Sequence, residues 1–352
     1  MNSFRVGELS IGPGMPCFVI AEVGVNHDGS VRMAHRLIDS AAESQANAVK
    51  FQTFNPDKLV SPSAPKATYQ YGSTGRKESQ LEMLRSLVLP ESCYPELIRH
   101  SADVGLVFIS TPFDEDSSDF LESLGVPAFK ISSGDLTNLP FLEHLARKRL
   151  PLIVSSGMSS LEEVYAAVEV IVSHGNPPLA LLHCVSNYPA QPGDCNLRAI
   201  ETLRHRFGVP VGWSDHTEGL DISTAAAALG ADILEKHLTL SRNLPGPDHS
   251  ASLEPEDFGE MVKAIRRVEL ALGDGAKRRV RAEEAIAVVA RRSLHWTKAL
   301  SVGAMVRSED LVALRPGTGM SPSQRDGVIG RKLKKPVREA EMVSETDLEP
   351  IA

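Results

Sequence analysis

Short apolar runs alternate with longer amphipathic segments along most of the chain. The runs CFVIAEVG, AVKFQT, LVFIST, PAFKIS, PLIVSS, LALLHCV, VPVGW and ADILEKHL have the length and composition of buried strands. Segments such as VRMAHRLIDSAAES and LEEVYAAVEVIVSHG, which follow these runs, place apolar residues at helical spacing. Eight strands, each followed by a helix, predict a closed (β/α)8 barrel rather than an open doubly wound sheet.

The segment that follows the second predicted strand, AVKFQT, departs from this alternation of strands and helices. It runs for about 35 residues before the next strong helical pattern, a length that is usually functional or disordered. It contains Pro56, Pro62, Pro65, Tyr69 and Tyr71. We predict a short helix inside it at SQLEMLRSL.

The pattern changes again in the last part of the chain. A basic, helix-like segment, KRRVRAEEAIAVVARR, precedes short strand-like runs that are separated by Gly and Pro. We therefore predict a catalytic barrel over residues 1–278, a linker over 279–291 and a small β-rich domain over 292–352. A domain of about 60 residues folds alone only marginally, so we expect it to pack on the barrel or on a partner chain.

Composition narrows the class of protein. With 42% hydrophobic and 23% charged residues in a chain of 352, the protein is expected to fold into globular domains. The net charge of −8 predicts no general attraction to nucleic acid or to an anionic membrane. The chain shows neither a run of 18 apolar residues nor a secretory signal pattern, and its four cysteines form no Cys-x-x-Cys pair. We therefore expect a cytoplasmic protein with reduced thiols.

Polar residues follow the predicted strands, and in a barrel of parallel strands these positions converge on one mouth. The set contains cations and hydroxyls that suit an anion, together with histidines and carboxylates that suit a metal ion. Its members are Glu22, Lys50, Gln52, Thr111, Lys130, Ser133, Asp135, either Ser155 or Ser156, the segment from His183 to Tyr188, Ser214, Asp215, His216 and His237.

The two histidines end consecutive strands, so they are expected to emerge side by side. A single histidine at a strand end is more often a hydrogen-bonding residue than a ligand, but His216 and His237 together with Glu22 suit an open site for a divalent first-row ion that acts as a Lewis acid. Asp215 is interpreted either as a residue that orients a loop or as one that acts on the metal. Asp248 in GPDHSAS serves either the site or a turn.

Lys50 and Lys130 lie near the ends of the second and fourth predicted strands. Burying an ammonium group is costly unless an opposite charge accompanies it, so a bound phosphate or carboxylate is a natural partner. The competing interpretation is a lysine that forms a Schiff base, as in aldolases. Two lysines together with Thr111 and several serines favour the anion site.

Eleven ordered motifs carry a resemblance to a known family. They are AEVGVNHDG, VKFQTF, APKATYQ, STPFDEDS, FKISSGDLTNLP, SSGM, HCVSNYP, WSDHT, EKHLTL, GPDHSAS and RPGTGMSP. Together they resemble the sialic acid synthase family from about Phe18 to the C-terminus. The resemblance implies condensation of phosphoenolpyruvate with an N-acylated amino sugar aldehyde, such as N-acetylmannosamine, to give a nonulosonic acid and phosphate. It also implies a (β/α)8 barrel followed by a SAF domain similar to type III antifreeze protein, in a domain-swapped homodimer.

The resemblance also assigns roles to residues. His216 and His237 match the metal ligands, with Mn²⁺ expected and Mg²⁺, Co²⁺ or Zn²⁺ as alternatives, and Glu22 matches the acid that holds the metal-bound water or aldehyde. The phosphoenolpyruvate site is matched by Lys50, Thr111, Lys130, Ser133, Ser155 and Ser214. Further substrate contacts are expected from Gln52, Ser186, Tyr188 and Asp248, and Ser186 stands where some members have Asn.

Asp135 and Arg315 are two further positions that the resemblance concerns. Asp135 stands in SGDLTN where many bacterial members carry Glu, so the shorter side chain has less reach to the sugar. Arg315 of RPGTG matches an arginine that the small domain delivers into the partner's barrel.

The expected product is N-acetylneuraminate. Alternatives are legionaminate or pseudaminate, made from a diacetamido-deoxy sugar, and a synthase that uses a sugar 6-phosphate. A carbohydrate- or ice-binding protein with the barrel as a scaffold is the non-enzymatic alternative, but a scaffold has no need of the charged residues at the strand ends.

Overall fold

In the computed structural model, which describes residues 3–66 and 79–350, the chain forms two compact units, Met1–Gly273 and Asp274–Ala352. The first unit begins with an antiparallel hairpin of β1 (Phe4–Val6) and β2 (Leu9–Ile11). Tyr69, Tyr71 and the last four residues of APKATYQ lie outside the described residues.

Eight parallel strands then close into a barrel. They are β3 (Phe18–Gly24), β4 (Ala48–Thr53), β5 (Val107–Pro112), β6 (Phe129–Ile131), β7 (Leu152–Ser155), β8 (Leu179–Cys184), β9 (Val211–Asp215) and β10 (Ile233–His237). Each strand pairs with its neighbours in sequence, and β10 returns to pair with β3. The predicted (β/α)8 barrel is confirmed.

Helices of the first unit follow the strands in sequence. They are α1 (Val31–Glu43), α2 (Pro56–Leu59), α3 (Gln80–Ser86), α4 (Tyr94–Asp103), α5 (Glu115–Ser123), α6 (Leu139–Arg147), α7 (Leu161–Ser173), α8 (Ala199–Phe207), α9 (Asp221–Ala228) and α10 (Pro255–Leu272). Ser79 and Glu82 form a capping box at the start of α3, which confirms the short helix predicted in the long connection. Among the described residues, none of the helices combines the length and apolar character that a membrane span requires.

Apolar residues form two layers in the barrel unit. The outer layer packs strand residues such as Val49 and Val154 against helix residues such as Leu37 and Leu142. The inner layer fills the barrel between the strands, as in other closed eight-stranded barrels. Val6 and Ile11 of the hairpin are fully buried and belong to this inner layer, so the hairpin plugs the amino-terminal end of the barrel.

Strand register brings the predicted polar residues to one level. His237 pairs with Glu22, and Glu22 pairs with Lys50 on the next strand. Gln52 pairs with Thr111 in the same way. All of these positions are at or near the carboxyl ends of their strands, which is the end that carries the active site in barrels of this type.

The second unit is less regular than the sequence predicts. It contains α11 (Glu284–Ala290) and one antiparallel pair, β11 (Ser293–Trp296) with β12 (Leu311–Leu314). In the described part of this unit, the remaining pairing consists of isolated bridges between short turns. The units divide after α10, at Gly273, and the finer division into a linker over 279–291 and an antifreeze-like domain over 292–352 stays a prediction.

Candidate active site

A cavity of about 330 Å³ lies at the carboxyl ends of the barrel strands. It brings together most of the residues predicted from the strand ends. The predicted residues that line it are Glu22, Lys50, Gln52, Thr111, Lys130, Ser133, Ser155, Ser186, Tyr188, Ser214, His216, His237 and Asp248.

The lysine side of the cavity, as we call Glu22, Lys50, Lys130 and Glu235, is a buried ion-pair cluster. Lys50 Nζ forms an ion pair with Glu22 and donates a hydrogen bond to Thr111 Oγ1 at 3.0 Å. The Glu235 carboxylate lies between the two ammonium groups, 3.8 Å from Lys50 Nζ and 3.4 Å from Lys130 Nζ. The cluster therefore holds its two cations in place with protein carboxylates.

Glu235 is a site residue that the sequence interpretation missed. Ser214 Oγ donates to its Oε1 at 2.8 Å, and its side chain is 5% exposed. Glu235 is two positions before His237 on the same strand, and alternate residues of a strand face the same side. This alternation was the signal that could have identified it.

The two carboxylates of the lysine side differ in their affinity for protons. Burial raises the pKa of Glu22 to about 6, although Lys50 opposes this shift. Burial also acts on Glu235, but the Lys130 and Lys50 ammonium groups outweigh it and lower the pKa of Glu235 to about 2. Glu22 is thus able to exchange a proton near neutral pH, whereas Glu235 keeps its negative charge.

The two lysines also differ. Burial would lower the pKa of Lys50, but Glu22 and Glu235 outweigh burial and raise it. At Lys130 burial dominates, and the pKa is lowered despite the nearby Glu235.

Hydroxyl groups line the cavity beside the lysine side and add hydrogen-bond donors to it. Ser133 Oγ accepts a hydrogen bond from the Gly157 N–H at 3.0 Å and lies 3.2 Å from Cys184 Sγ. A Cβ at Gly157 would stand 2.8 Å from Ser133 Oγ, so the glycine of SSGM permits this close approach. Ser155 Oγ is buried and finds no hydrogen-bond partner within the described ranges.

The histidine side of the cavity, formed by Tyr188, His216, His237 and Asp248, lies at the ends of β8 to β10. His216 Nδ1 lies 2.8 Å from the Val185 carbonyl oxygen, and because a carbonyl only accepts, Nδ1–H is the donor. The rings of His216 and His237 are 5.5 Å apart, and the Tyr188 ring lies 4.2 Å from that of His216.

His237 and Asp248 are two buried neighbours on the histidine side of the cavity. His237 Nδ1 is buried without a hydrogen-bond partner in the part of the chain that the structure describes, and it lies 3.8 Å from Asp248 Oδ2. Burial lowers the pKa of His237 well below its usual value, and the His216 and Lys50 charges act in the same direction. Burial raises the pKa of Asp248 to about 6.

The donor chemistry of this side fits a divalent first-row ion. In the neutral ring of His216, the hydrogen bond to Val185 puts the lone pair on Nε2, where a metal would replace the ring's interaction with the Cys184 side chain. Nδ1 of His237, which has no hydrogen-bond partner in the described residues, offers a second nitrogen. Among the described residues, no group of three or more His, Cys, Asp or Glu side chains has the spacing of a complete metal shell. The protein would therefore contribute two imidazoles and leave coordination positions open, as catalytic metal sites do.

Three predicted residues lie elsewhere. Asp135 is half-buried outside the cavity lining, where its carboxylate accepts a hydrogen bond from Ser132 Oγ at 2.6 Å. Asp215 accepts a hydrogen bond from buried Lys236 at 2.8 Å, so its carboxylate organises the strand ends. Arg315 is an exposed residue of the second unit, and its delivery to a barrel mouth stays a prediction.

One wall of the cavity is apolar, which the sequence interpretation also missed. It is formed by Val25, Met83, Leu84, Leu87 and Phe113. The three central members come from α3 and the residue after it, and they pack in a small cluster with Val25. The short helix of the long connection therefore supplies a hydrophobic surface to the site.

Comparison with known proteins supports a common family for this fold and site. Residues 37–277 match the model of the NeuB family. The chain is 46% identical over 326 residues to N,N'-diacetyllegionaminic acid synthase of Legionella pneumophila, covering 92% of each chain. It is 36% identical to N-acetylneuraminate-9-phosphate synthase of Homo sapiens, covering 96% of each.

A solved structure supports the same family. N-acetylneuraminic acid (sialic acid) synthetase from Leptospira borgpetersenii, crystallised with citrate, matches with a TM-score of 0.73 and 34% identity, over 81% of this chain and 95% of that one. The ordered motifs, the barrel and these matches agree, and the chain belongs to the NeuB family of sialic acid synthases.

Proposed function

We propose that the protein condenses phosphoenolpyruvate with the open-chain aldehyde of an N-acylated amino sugar and water, giving a nonulosonic acid and phosphate. The observation that carries this proposal is the pair of buried lysines, held by Glu235 and bordered by hydroxyls, at the same mouth as two histidines. One half of this mouth suits an anion and the other half suits a carbonyl oxygen.

The anion would be held on the lysine side. Lys50 and Lys130 offset the charge of the phosphate and carboxylate, and the hydroxyls of Thr111, Ser133 and Ser155 donate hydrogen bonds to their oxygens. Ser155 Oγ is a donor that finds no hydrogen-bond partner among residues 3–66 and 79–350. Holding both reactants in one cavity supplies the proximity that the condensation needs.

A divalent ion bound to His216 and His237 would supply Lewis-acid polarisation of the sugar carbonyl. C3 of phosphoenolpyruvate attacks C1 of the sugar, and water adds to the cation that develops at C2 before phosphate leaves by C–O cleavage. Glu22, whose pKa lies at about 6, is suited to take the proton from that water. Its pairing with His237 across adjacent strands puts it at the same level of the mouth.

For the sugar, the apolar wall favours a diacetamido-deoxy substrate. A methyl group at C6 and the methyls of the acetamido groups gain by burial against Met83, Leu87 and Phe113, whereas a 6-phosphate would lose hydration there. The similarity to a diacetyllegionaminic acid synthase points the same way. An apolar surface discriminates against an added hydroxyl by only about 100-fold, so N-acetylmannosamine remains the second candidate.

Phosphate release tests the reaction. Purified protein with Mn²⁺ is offered phosphoenolpyruvate with the diacetamido sugar, N-acetylmannosamine or its 6-phosphate, and we expect the highest kcat/KM with the diacetamido sugar. Phosphoenolpyruvate labelled with ¹⁸O at the bridging position should transfer the label to phosphate. Absence of turnover with all three sugars would refute the synthase, and borohydride trapping of substrate on Lys50 or Lys130 would support the Schiff-base alternative.

A further inference from the structure

Two loops with polar motifs meet beside the mouth of the barrel. The first follows β3 and contains NHDG at residues 26–29, and the second follows β10 and contains GPDHSAS at residues 246–252. Asn26 and Asp28 do not line the cavity, and the proposed reaction does not use them. Their side chains instead contact the second loop.

His249 is the centre of this contact and is fully buried. Its Nε2 lies 3.2 and 3.1 Å from the two carboxylate oxygens of Asp28, and its Nδ1 lies 2.6 Å from Thr239 Oγ1. A carboxylate only accepts hydrogen bonds, so Nε2–H is the donor to Asp28 in either charge state of the ring. Asp28 thereby joins the loop after β3 to the loop after β10.

Asn26 adds a second connection. Its side-chain amide donates to the Leu238 carbonyl oxygen and to Ser252 Oγ, each at 2.9 Å. Ser252 Oγ in turn donates to the backbone carbonyl of Asp248 at 2.7 Å. A continuous chain of hydrogen bonds therefore runs from the first loop to the backbone of a residue that lines the cavity.

Glycine at position 246 makes the contact between the loops sterically feasible. Its φ is +141°, and a Cβ there would lie 2.7 Å from both Asp28 Oδ1 and His249 Cδ2. The first glycine of GPDHSAS is thus explained by the approach of the two loops.

We propose that Asn26, Asp28, Thr239, His249 and Ser252 form a clasp that positions Asp248 against the amino sugar. Asp248 and His249 are consecutive: His249 is anchored in the clasp, while Asp248 lines the cavity beside His237. Asp28 is a positioning residue that acts through Asp248, and this inference rests on the proposed function. The lysines that hold phosphoenolpyruvate lie on β4 and β6, whereas the clasp residues belong to the loops after β3 and β10.

The test compares two variants of Asp28 in the Mn²⁺-loaded protein. Asp28 has a φ of +49°, a conformation that Gly and Asn adopt readily. Asp28→Gly removes the acceptor for His249, and we expect the KM for the amino sugar to rise about tenfold while the KM for phosphoenolpyruvate stays within about twofold. Asp28→Asn keeps an acceptor oxygen and is expected to retain a KM close to that of the unaltered protein.

A double-mutant cycle shows whether the effect passes through Asp248. In an Asp248→Ala background, Asp28→Gly should cause no further rise in the sugar KM, because the group that it positions is gone. The matched control is Asp119→Ala, which removes a 2.8 Å contact with His144 on the outside of the barrel and should change neither KM. Equal effects on both KM values, additivity with Asp248→Ala, or an Asp28→Asn variant as impaired as Asp28→Gly would overturn the clasp.

Hydrogen exchange gives a readout that does not depend on turnover. The amides of Gly246 and of residues 248–252 should exchange faster in Asp28→Gly than in the unaltered protein, and unchanged exchange would overturn the clasp. If the unaltered protein turns over none of the sugars, the proposed function fails, whereas the exchange experiment still decides whether the loops are joined as proposed.

Discussion

Lys50 and Lys130 on the lysine side lie against Glu22 and Glu235, whereas on the histidine side His237 Nδ1 has no hydrogen-bond partner in the described residues and lies 3.8 Å from Asp248. The lysine side is therefore organised by contacts within the protein. In the proposed function, a divalent ion and the sugar would complete the contacts of the histidine side. Removing one member of the first kind of cluster leaves a buried charge uncompensated and lowers stability, whereas removing an unpaired group of the second kind should cost less stability.

The largest effect is expected on the histidine side. His237→Ala should abolish metal-dependent turnover and weaken Mn²⁺ binding, because one of the two imidazoles proposed as ligands is lost. Manganese titration followed by electron paramagnetic resonance, beside kcat, checks both. His205→Ala, a change to an exposed histidine on α8, serves as the control. Undiminished Mn²⁺ binding in His237→Ala would remove this residue from the ligand set.

On the lysine side, the corresponding substitution should lower the free energy of unfolding. Glu235→Ala leaves two buried ammonium groups with one fewer carboxylate, and breaking a buried ion pair costs about 3–5 kcal/mol. Urea unfolding measures the free energy of unfolding, with the exposed Glu201→Ala as the control. We expect His237→Ala to lose less than half as much stability as Glu235→Ala, and equal losses would erase the distinction between the two sides.

Asp248→Asn should stabilise the protein near neutral pH. Burial raises the pKa of Asp248 from 3.8 to about 6, so the stability linked to its proton is present below pH 3.8 and is lost as the pH rises through about 6. Replacing the carboxylate with a neutral amide should recover up to about 3 kcal/mol at alkaline pH, and the gain should vanish in acid. Unfolding measured across this pH range checks the sign, and a stability loss that grows with pH would contradict it.

Arg315→Ala is expected to have the smallest effect. The family resemblance predicts that this arginine reaches a partner's mouth, where a charge-assisted contact would change the sugar KM by about tenfold. The KM for phosphoenolpyruvate should change less, since its binding groups belong to the lysine side. Equal effects on both constants would contradict the assigned role, and unfolding should be unaffected because Arg315 is exposed.

The barrel and most of its mouth could be predicted because strand periodicity and the geometry of parallel barrels together dictate which residues converge. The hairpin of β1 and β2 escaped prediction because strands of three residues are too short to show a period. The apolar wall on α3 was equally hidden, since Met83 and Leu87 look like ordinary core residues of an amphipathic helix.

Other differences between the sequence predictions and the structure arise from the directions in which side chains point. Asp135 and Glu235 are both acids near strand ends, but the first is turned to Ser132 in a 3-10 turn and the second faces the lysines. The second unit was predicted as β-rich from its Gly and Pro spacing, a pattern that isolated bridges and turns satisfy equally well.

The hairpin that covers the amino-terminal end of the barrel also bears on the route by which reactants and products exchange. Val6 and Ile11 cover that end and the inner apolar layer fills the interior, so reactants and products must exchange at the carboxyl-terminal end, where the cavity lies. The cavity at the mouth has no exit through the packed interior of the barrel. In the proposed reaction, a nonulosonic acid that has not yet departed would obstruct the next sugar, so we expect the product to inhibit.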